Sequence, residues 1–288
     1  MTFESPAVGT SIRIFLVDGD PDGFRLVEKS NWSGQAVVVS RSQYPAVRTR
    51  KEFDVPGVYV LLAPGGEDGA KPRIYIGEAD TLRPRLDHHV KTKEFWTRLI
   101  AFMSKDLNLN KAHIRYLESR LVGLASRAKT WSVENGNAPQ LSNLSEPDVA
   151  GAEGFLREML VIYPVLGVDA FDLPRKRTVG ELTYRLEGPK TFAEGHEEHD
   201  GFVVFKGALG RVEETESYHK SLSAMRAGLL EEGVLVAADG RLRLSLDYKF
   251  SSPSTAASIL LGRNANGRVE WKTEAGDTLK EIQEKAVE

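Results

Sequence analysis

The chain has no cysteine in its 288 residues, so disulfides and thiolate metal centres are excluded. This is what a reducing, cytoplasmic compartment tolerates, and a cytoplasmic location is expected. Apolar runs are short as well. None reaches the roughly 18 residues that a membrane-spanning helix needs, so no membrane association is expected. MTFESPAVGTSIRIFLVDGD lacks a basic stretch followed by a long apolar one, and a signal peptide is not expected. There is no excess of basic charge either, the formal net charge being -3.

The charge that is present is unevenly placed. Between Arg83 and Lys129, eleven Lys and Arg residues face four acidic ones, a local charge of +7 that leaves -10 for the remainder. A phosphate-binding face on an acidic body has this asymmetry, and so has a solvated helix surface. GDPDG carries no phosphate-loop pattern. HEEH (196–199) spaces its histidines i, i+3 among acids, which reads as a solvated loop rather than zinc ligands. SSPSTAAS reads as a helix start, not a nucleophile site.

The segment PGVYVLLAPGGEDGAKPRIYIGEADTLRPRLDHH (56–89) carries the chemistry. Strands over 57–62 and 73–77, joined across a glycine-rich loop, form a hairpin. Alternation puts Val58, Val60, Leu62, Ile74 and Ile76 on one face. Tyr59 and Tyr75 then emerge together on the other, an open surface, with Gly57 and Gly77 leaving room around the rings. The next helix, with Asp80 as cap and Pro84 in its first turn, brings Arg85 and His89 to one face at i, i+4. A guanidinium suits phosphate oxygens, and an imidazole exchanges protons near neutral pH. A helix from about Asn110 to Ala128 carries Ile114, Leu117, Leu121 and Leu124 at helical spacing. Glu118 lies at the edge of that stripe, either exposed to solvent or, if buried, needing a cationic partner, which is a basic side chain or a hard divalent cation.

Elsewhere the reading is a strand over 12–17, a short helix from Asp20-Pro21 to Asn31 and a strand over 36–39. Further along are a helix near 153–163, a strand over 201–207 and a helix over 218–232, with hairpins at Asp239-Gly240 and Asn266-Gly267. The fold class expected is α+β: a small antiparallel sheet flanked by helices, with a separate C-terminal α+β domain. The boundaries expected are 1–55 (a strand-helix-strand region packing on the second domain), 56–150 (the domain bearing the tyrosines), 151–180 (connecting helix and linker) and 181–288 (C-terminal domain).

GVY (57–59), YIG (75–77), the L-x-x-R-L pattern in EADTLRPRL and the helix IRYLESRL together resemble the GIY-YIG nuclease superfamily over residues 56–140. Val58 stands where isoleucine is usual, and the intervening loop is longer than is typical. Residues 247–279 resemble an uncharacterised domain that accompanies GIY-YIG domains in prokaryotic proteins. The resemblance implies a metal-dependent endonuclease hydrolysing nucleic-acid phosphodiesters, DNA in preference to RNA. It implies Arg85 as catalytic arginine, His89 four residues on and Glu118 as ligand of Mg²⁺ or Mn²⁺. An asparagine in the next loop completes the set, Asn137 being chosen over Asn135. Tyr59 is the chosen proton acceptor, with Tyr75 and His89 orienting water or phosphate. The alternative is a GIY-YIG fold retained as a non-catalytic nucleic-acid-binding module. On either reading the acidic C-terminal half is a candidate surface for a protein partner.

Overall fold

The computed structural model describes residues 9–66, 70–136, 143–174 and 181–287. It divides into two units, Met1–Pro64 with Pro72–Asp172, and Gly65–Lys71 with Leu173–Glu288. Both mix helices with a largely antiparallel sheet, an α+β architecture. Among the described residues no helix is long and apolar enough to cross a membrane.

The first unit holds strands β1 (Ile12–Leu16), β2 (Arg25–Lys29), β3 (Gly34–Ser40), β4 (Gly57–Ala63), β5 (Arg73–Ala79), β6 (Arg98–Ser104) and β7 (Ser132–Val133). Their order is β1-β2-β3-β6-β4-β5-β7, antiparallel except where β7 runs parallel to β5. Its helices are α1 (Tyr44–Val47), α2 (Leu82–Thr92), α3 (Lys111–Ala128) and α4 (Glu146–Val165). The sheet is covered on both faces. Val58, Val60, Leu62, Ile74 and Ile76 pack with Ile114, Leu117 and Leu121 of α3 and Phe155, Met159 and Ile162 of α4. Tyr59, Leu61 and Leu99 pack on the opposite side with Leu82 and Leu86 of α2 and with Trp96. α4 thus belongs to the first core, and the break between units falls after Asp172.

Two elements of this unit depart from the sequence reading. The helix expected from Asp20 is a turn leading into β2. The backbone N–H of Asp22 donates to Asp20 Oδ1 (2.9 Å), and Gly23 N–H to Asp20 O (3.0 Å). The aspartate that reads as a helix cap therefore closes a hairpin, a competition its short side chain always offers. Strand β6 went unread although it lies between β3 and β4. Buried on both faces, RLIAFMS is an unbroken apolar run with no alternation to betray it.

In the second unit, β8 (Tyr184–Gly188), β9 (Thr191–Glu198), β10 (Gly201–Val204), β11 (Leu209–Arg211), β12 (Leu235–Ala238), β13 (Arg241–Leu244) and β14 (Tyr248–Phe250) form the second sheet. Its order is β12-β13-β11-β9-β10-β14, with β8 also paired to β9. Helices α5 (Lys220–Glu231), α6 (Pro253–Leu261), α7 (Gly267–Glu270) and α8 (Leu279–Lys285) accompany it. The inward residues Leu186, Ala193, Phe202, Leu242 and Leu244 pack with Ile259 and Leu260 of α6 and with Trp271.

The hairpin expected at Asp239-Gly240 is present between β12 and β13. The one expected at Asn266-Gly267 is not. Ser252 caps α6 at the Ser-Pro start, so LLGR is that helix's last turn and its left-handed Gly262 cap. Asn266 then caps the short α7, its side chain accepting from Arg268 N–H (3.1 Å). The solvated loop expected at HEEH is also overturned. His196 lies in β9, 1% exposed, against the Phe205 ring. TFAEGHEE alternates in burial only as far as Gly195, and buried His196 then breaks the pattern. Among the described residues no metal-donor group includes either histidine.

Candidate active site

Tyr59 stands in β4 opposite Gly77 in β5, and both face α2. The glycine is required there, because a methyl group on Gly77 would overlap the Tyr59 hydroxyl. Gly77→Ala is expected to cost about 1–3 kcal/mol through overpacking of a buried ring. A urea denaturation comparison with the unsubstituted protein checks this.

Helix α2 is fixed on the tyrosine face by Asp87, which accepts from Tyr44 Oη (3.0 Å) and Arg48 Nε (2.9 Å). The Arg48 guanidinium holds the Asp87 carboxyl below its ordinary value. Asp80, expected as the helix cap, gives way to Thr81 and instead pairs with Lys111 (3.1 Å).

From this anchored helix Arg85 and His89 reach the phenols. Arg85 Nε donates to Tyr59 Oη (3.3 Å), and its Nη2 lies 3.5 Å from Tyr75 Oη. Tyr59 Oη and His89 Nε2 are 2.6 Å apart. The three rings cluster, with centroids 5.6 Å apart for Tyr59–His89 and 5.2 Å for Tyr75–His89. The Lys93 ammonium sits 4.1 Å from the Tyr75 ring centroid, a cation–π contact.

Exposure divides the cluster. Arg85 is exposed and Tyr75 half-buried, while Tyr59 and His89 are 0% and 2% exposed. Tyr59 therefore does not sit on an open surface, as alternation alone implied, because α2 covers it. Burial, reinforced by the neighbouring Tyr75, pushes the Tyr59 phenol far above its ordinary value. Burial, with Arg85 and Lys93 adding to it, lowers His89 to about 4. Neutral His89 then offers Nε2 as an acceptor. With Arg85 donating to the phenol oxygen, we assign the phenol's own proton to His89 Nε2, an assignment that leaves the buried Nδ1–H without a hydrogen-bond partner.

Glu118 projects from α3 half-buried, and among the described residues no hydrogen bond or ion pair reaches its carboxylate. Burial and the nearby Glu78 raise it to about 7, while Arg85, Lys111 and Arg115 act in the opposite direction. It lies within electrostatic range of Tyr59 as well. An unpaired, half-buried oxygen donor beside a second carboxylate is a setting that Mg²⁺ fits, since that ion takes one or two carboxylates and fills the rest with water and phosphate. Glu78 is held by Lys111 (2.9 Å).

Asn137 lies outside the described residues. Asn135 is described, and its side-chain amide is committed to the backbone: Oδ1 accepts from Ile76 N–H (3.0 Å) and Nδ2 donates to Ile76 O (2.7 Å). It ties the loop after α3 to the strand bearing Tyr75. Sequence reading missed Glu78, Lys93 and the Tyr44–Asp87–Arg48 anchor. Only Glu78 had a signal, its place directly after Tyr75-Ile76-Gly77. The basic stretch is also less free than its count implies: Arg83, Lys105, Lys111 and Arg120 are ion-paired.

No GIY-YIG family model matches residues 56–140. No curated protein and no solved structure matches the chain. Residues 184–283 match the family model described as Domain of unknown function (DUF4357), which agrees with the C-terminal resemblance at 247–279 and extends it back to β8.

Proposed function

We propose that this protein is a metal-dependent endonuclease that hydrolyses phosphodiester bonds of nucleic acid, DNA in preference to RNA. The observation that carries the reading is the single hydrogen-bonded cluster of Tyr59, Tyr75, Arg85 and His89 with an unpaired Glu118 in its electrostatic reach.

Glu118 is the group that would hold a divalent cation, with Glu78 beside it, and such an ion supplies charge neutralisation on phosphate and leaving oxygen when bound. Arg85 is the exposed donor. Turning its fork onto a phosphate neutralises charge that develops on the equatorial oxygens. That same movement takes Arg85 off the Tyr59 oxygen and frees a lone pair toward the attacking water. A buried phenol whose pKa is raised is a poor base alone. The 2.6 Å contact with His89 gives the proton a route, Tyr59 passing its own to Nε2 while taking one from water; with His89 lowered to about 4 the transfer is uphill, and the proton returns when the step is over. No free phenolate has to form. Tyr75, held by Arg85 and Lys93 at the surface, positions the phosphate.

The second reading, a fold that binds nucleic acid without cutting it, draws on one fact. Among the described residues no group of three metal-donor side chains includes Glu118. Incubation of defined DNA and RNA substrates with Mg²⁺ or Mn²⁺, with Glu118→Ala as control, separates the two. Metal-dependent products that the variant does not form support the nuclease. Binding without cutting supports the module.

A further inference from the structure

The outward face of the second sheet carries a feature that the proposed nuclease chemistry does not use. Arg241 and Arg243 alternate on β13, so both point away from the core that Leu242 and Leu244 enter. Both are exposed, and among the described residues neither has a hydrogen bond or an ion pair. Arg211 of β11 stands directly opposite Arg241. Its nearest carboxylate, Glu213 at 3.8 Å, is shared with Lys190 (2.8 Å). Like charges paired across a sheet destabilise it, so an anion bridging Arg211 and Arg241 would relieve that repulsion.

The neighbouring row sets Arg243 among apolar side chains. Val236, Arg243, Leu209 and Phe192 succeed one another across β12, β13, β11 and β9 by direct pairing. Phe192 and Val236 are each 46% exposed. The row ends at Glu187, and Glu194 on this face is neutralised by Arg185 (3.0 Å). The face thus offers three guanidinium groups and, across Leu209 from Arg243, an exposed aromatic ring.

We infer that this sheet face of the C-terminal unit binds single-stranded nucleic acid. Arg211, Arg241 and Arg243 take successive phosphates, and a base stacks on Phe192. Charge complementarity selects a polyanion, and the exposed ring selects unpaired bases, whose faces are free to stack. An acidic peptide would satisfy the arginines and leave the ring unused. The surface belongs to the second unit and the tyrosine cluster to the first, and its binding does not depend on catalysis.

The test is fluorescence anisotropy with the full-length protein in EDTA, which keeps the probe intact. The probes are a labelled oligodeoxythymidine strand of about 15 nucleotides and a duplex of equal length. Arg241→Glu/Arg243→Glu is expected to weaken single-strand binding at least about tenfold and to lower the log–log salt slope by about 1.4, two phosphate contacts' worth. Phe192→Ala is expected to weaken the single strand about tenfold and the duplex far less. Arg241→Gln/Arg243→Gln, which keeps length and removes only charge, should show an intermediate loss. Circular dichroism establishes that each variant is folded.

Unchanged oligonucleotide binding by the charge-reversed protein overturns the inference. So does an equal loss of strand and duplex on Phe192→Ala. Retention of poly-glutamate in place of the oligonucleotide overturns it in favour of an acidic protein partner. Because no turnover is read, failure here and failure of the nuclease reading are separately visible.

Discussion

Replacing Arg85 by alanine is expected to lower kcat by about 10²–10³-fold while leaving the fold intact, the loss seen when one preorganised donor to a developing oxyanion is removed. Its exposed side chain fills no cavity in the core, so unfolding stability should change little. Lysine should not rescue the rate. At rest Arg85 reaches toward both phenols, and in the reaction its planar fork donates to two oxygens of one phosphate. An ammonium is a point charge that cannot match that bidentate geometry. Single-turnover cleavage at saturating enzyme is the measurement, since it separates chemistry from binding. A full rate for Arg85→Lys would make the arginine a mere countercharge.

The second expectation concerns the proton. Tyr59→Phe and His89→Phe should each lower kcat by about 10²–10⁴-fold, the usual contribution of a positioned general base. The double variant should fall no further than the worse single one, because the two side chains act as a unit through one 2.6 Å contact. His89, held at about 4, keeps its acceptor nitrogen at all pH values from about 5 upward. His89 should therefore set no acid limb near neutrality; that limb should follow Glu118, raised to about 7, whose ionised form would hold the cation. If Tyr59→Phe retains full kcat and Tyr75→Phe carries the loss, the proton goes to the half-exposed phenol instead.

The hairpin of β4 and β5 was legible because its two faces differ: valines and isoleucines against tyrosines and glycines at strict alternation. The long α3 was legible too, from Asn110, which caps it by accepting from Ala112 and His113 N–H, and from its apolar stripe. Alternation says which face a side chain takes, but not what covers that face. Tyr59 was therefore read as open, and only the packing of Leu82 and Leu86 from α2 shows it buried. β6 and β9 escape the sequence for opposite reasons, one having the unalternating apolar centre LIAFM and the other being polar in its letters, with burial that alternates only as far as Gly195. The anchor Tyr44–Asp87–Arg48 joins residues about forty positions apart, a relation that no local pattern carries.

Cleavage of phosphodiester bonds by the tyrosine cluster and Glu118 acting together is tested most directly by one rate. That is the rate of product formation from an end-labelled DNA duplex in Mg²⁺, for the unsubstituted protein beside Glu118→Ala. Metal-dependent products are expected from the first and none above background from the second. Equal cleavage by both proteins, or none by either when the duplex is bound, would contradict the nuclease reading.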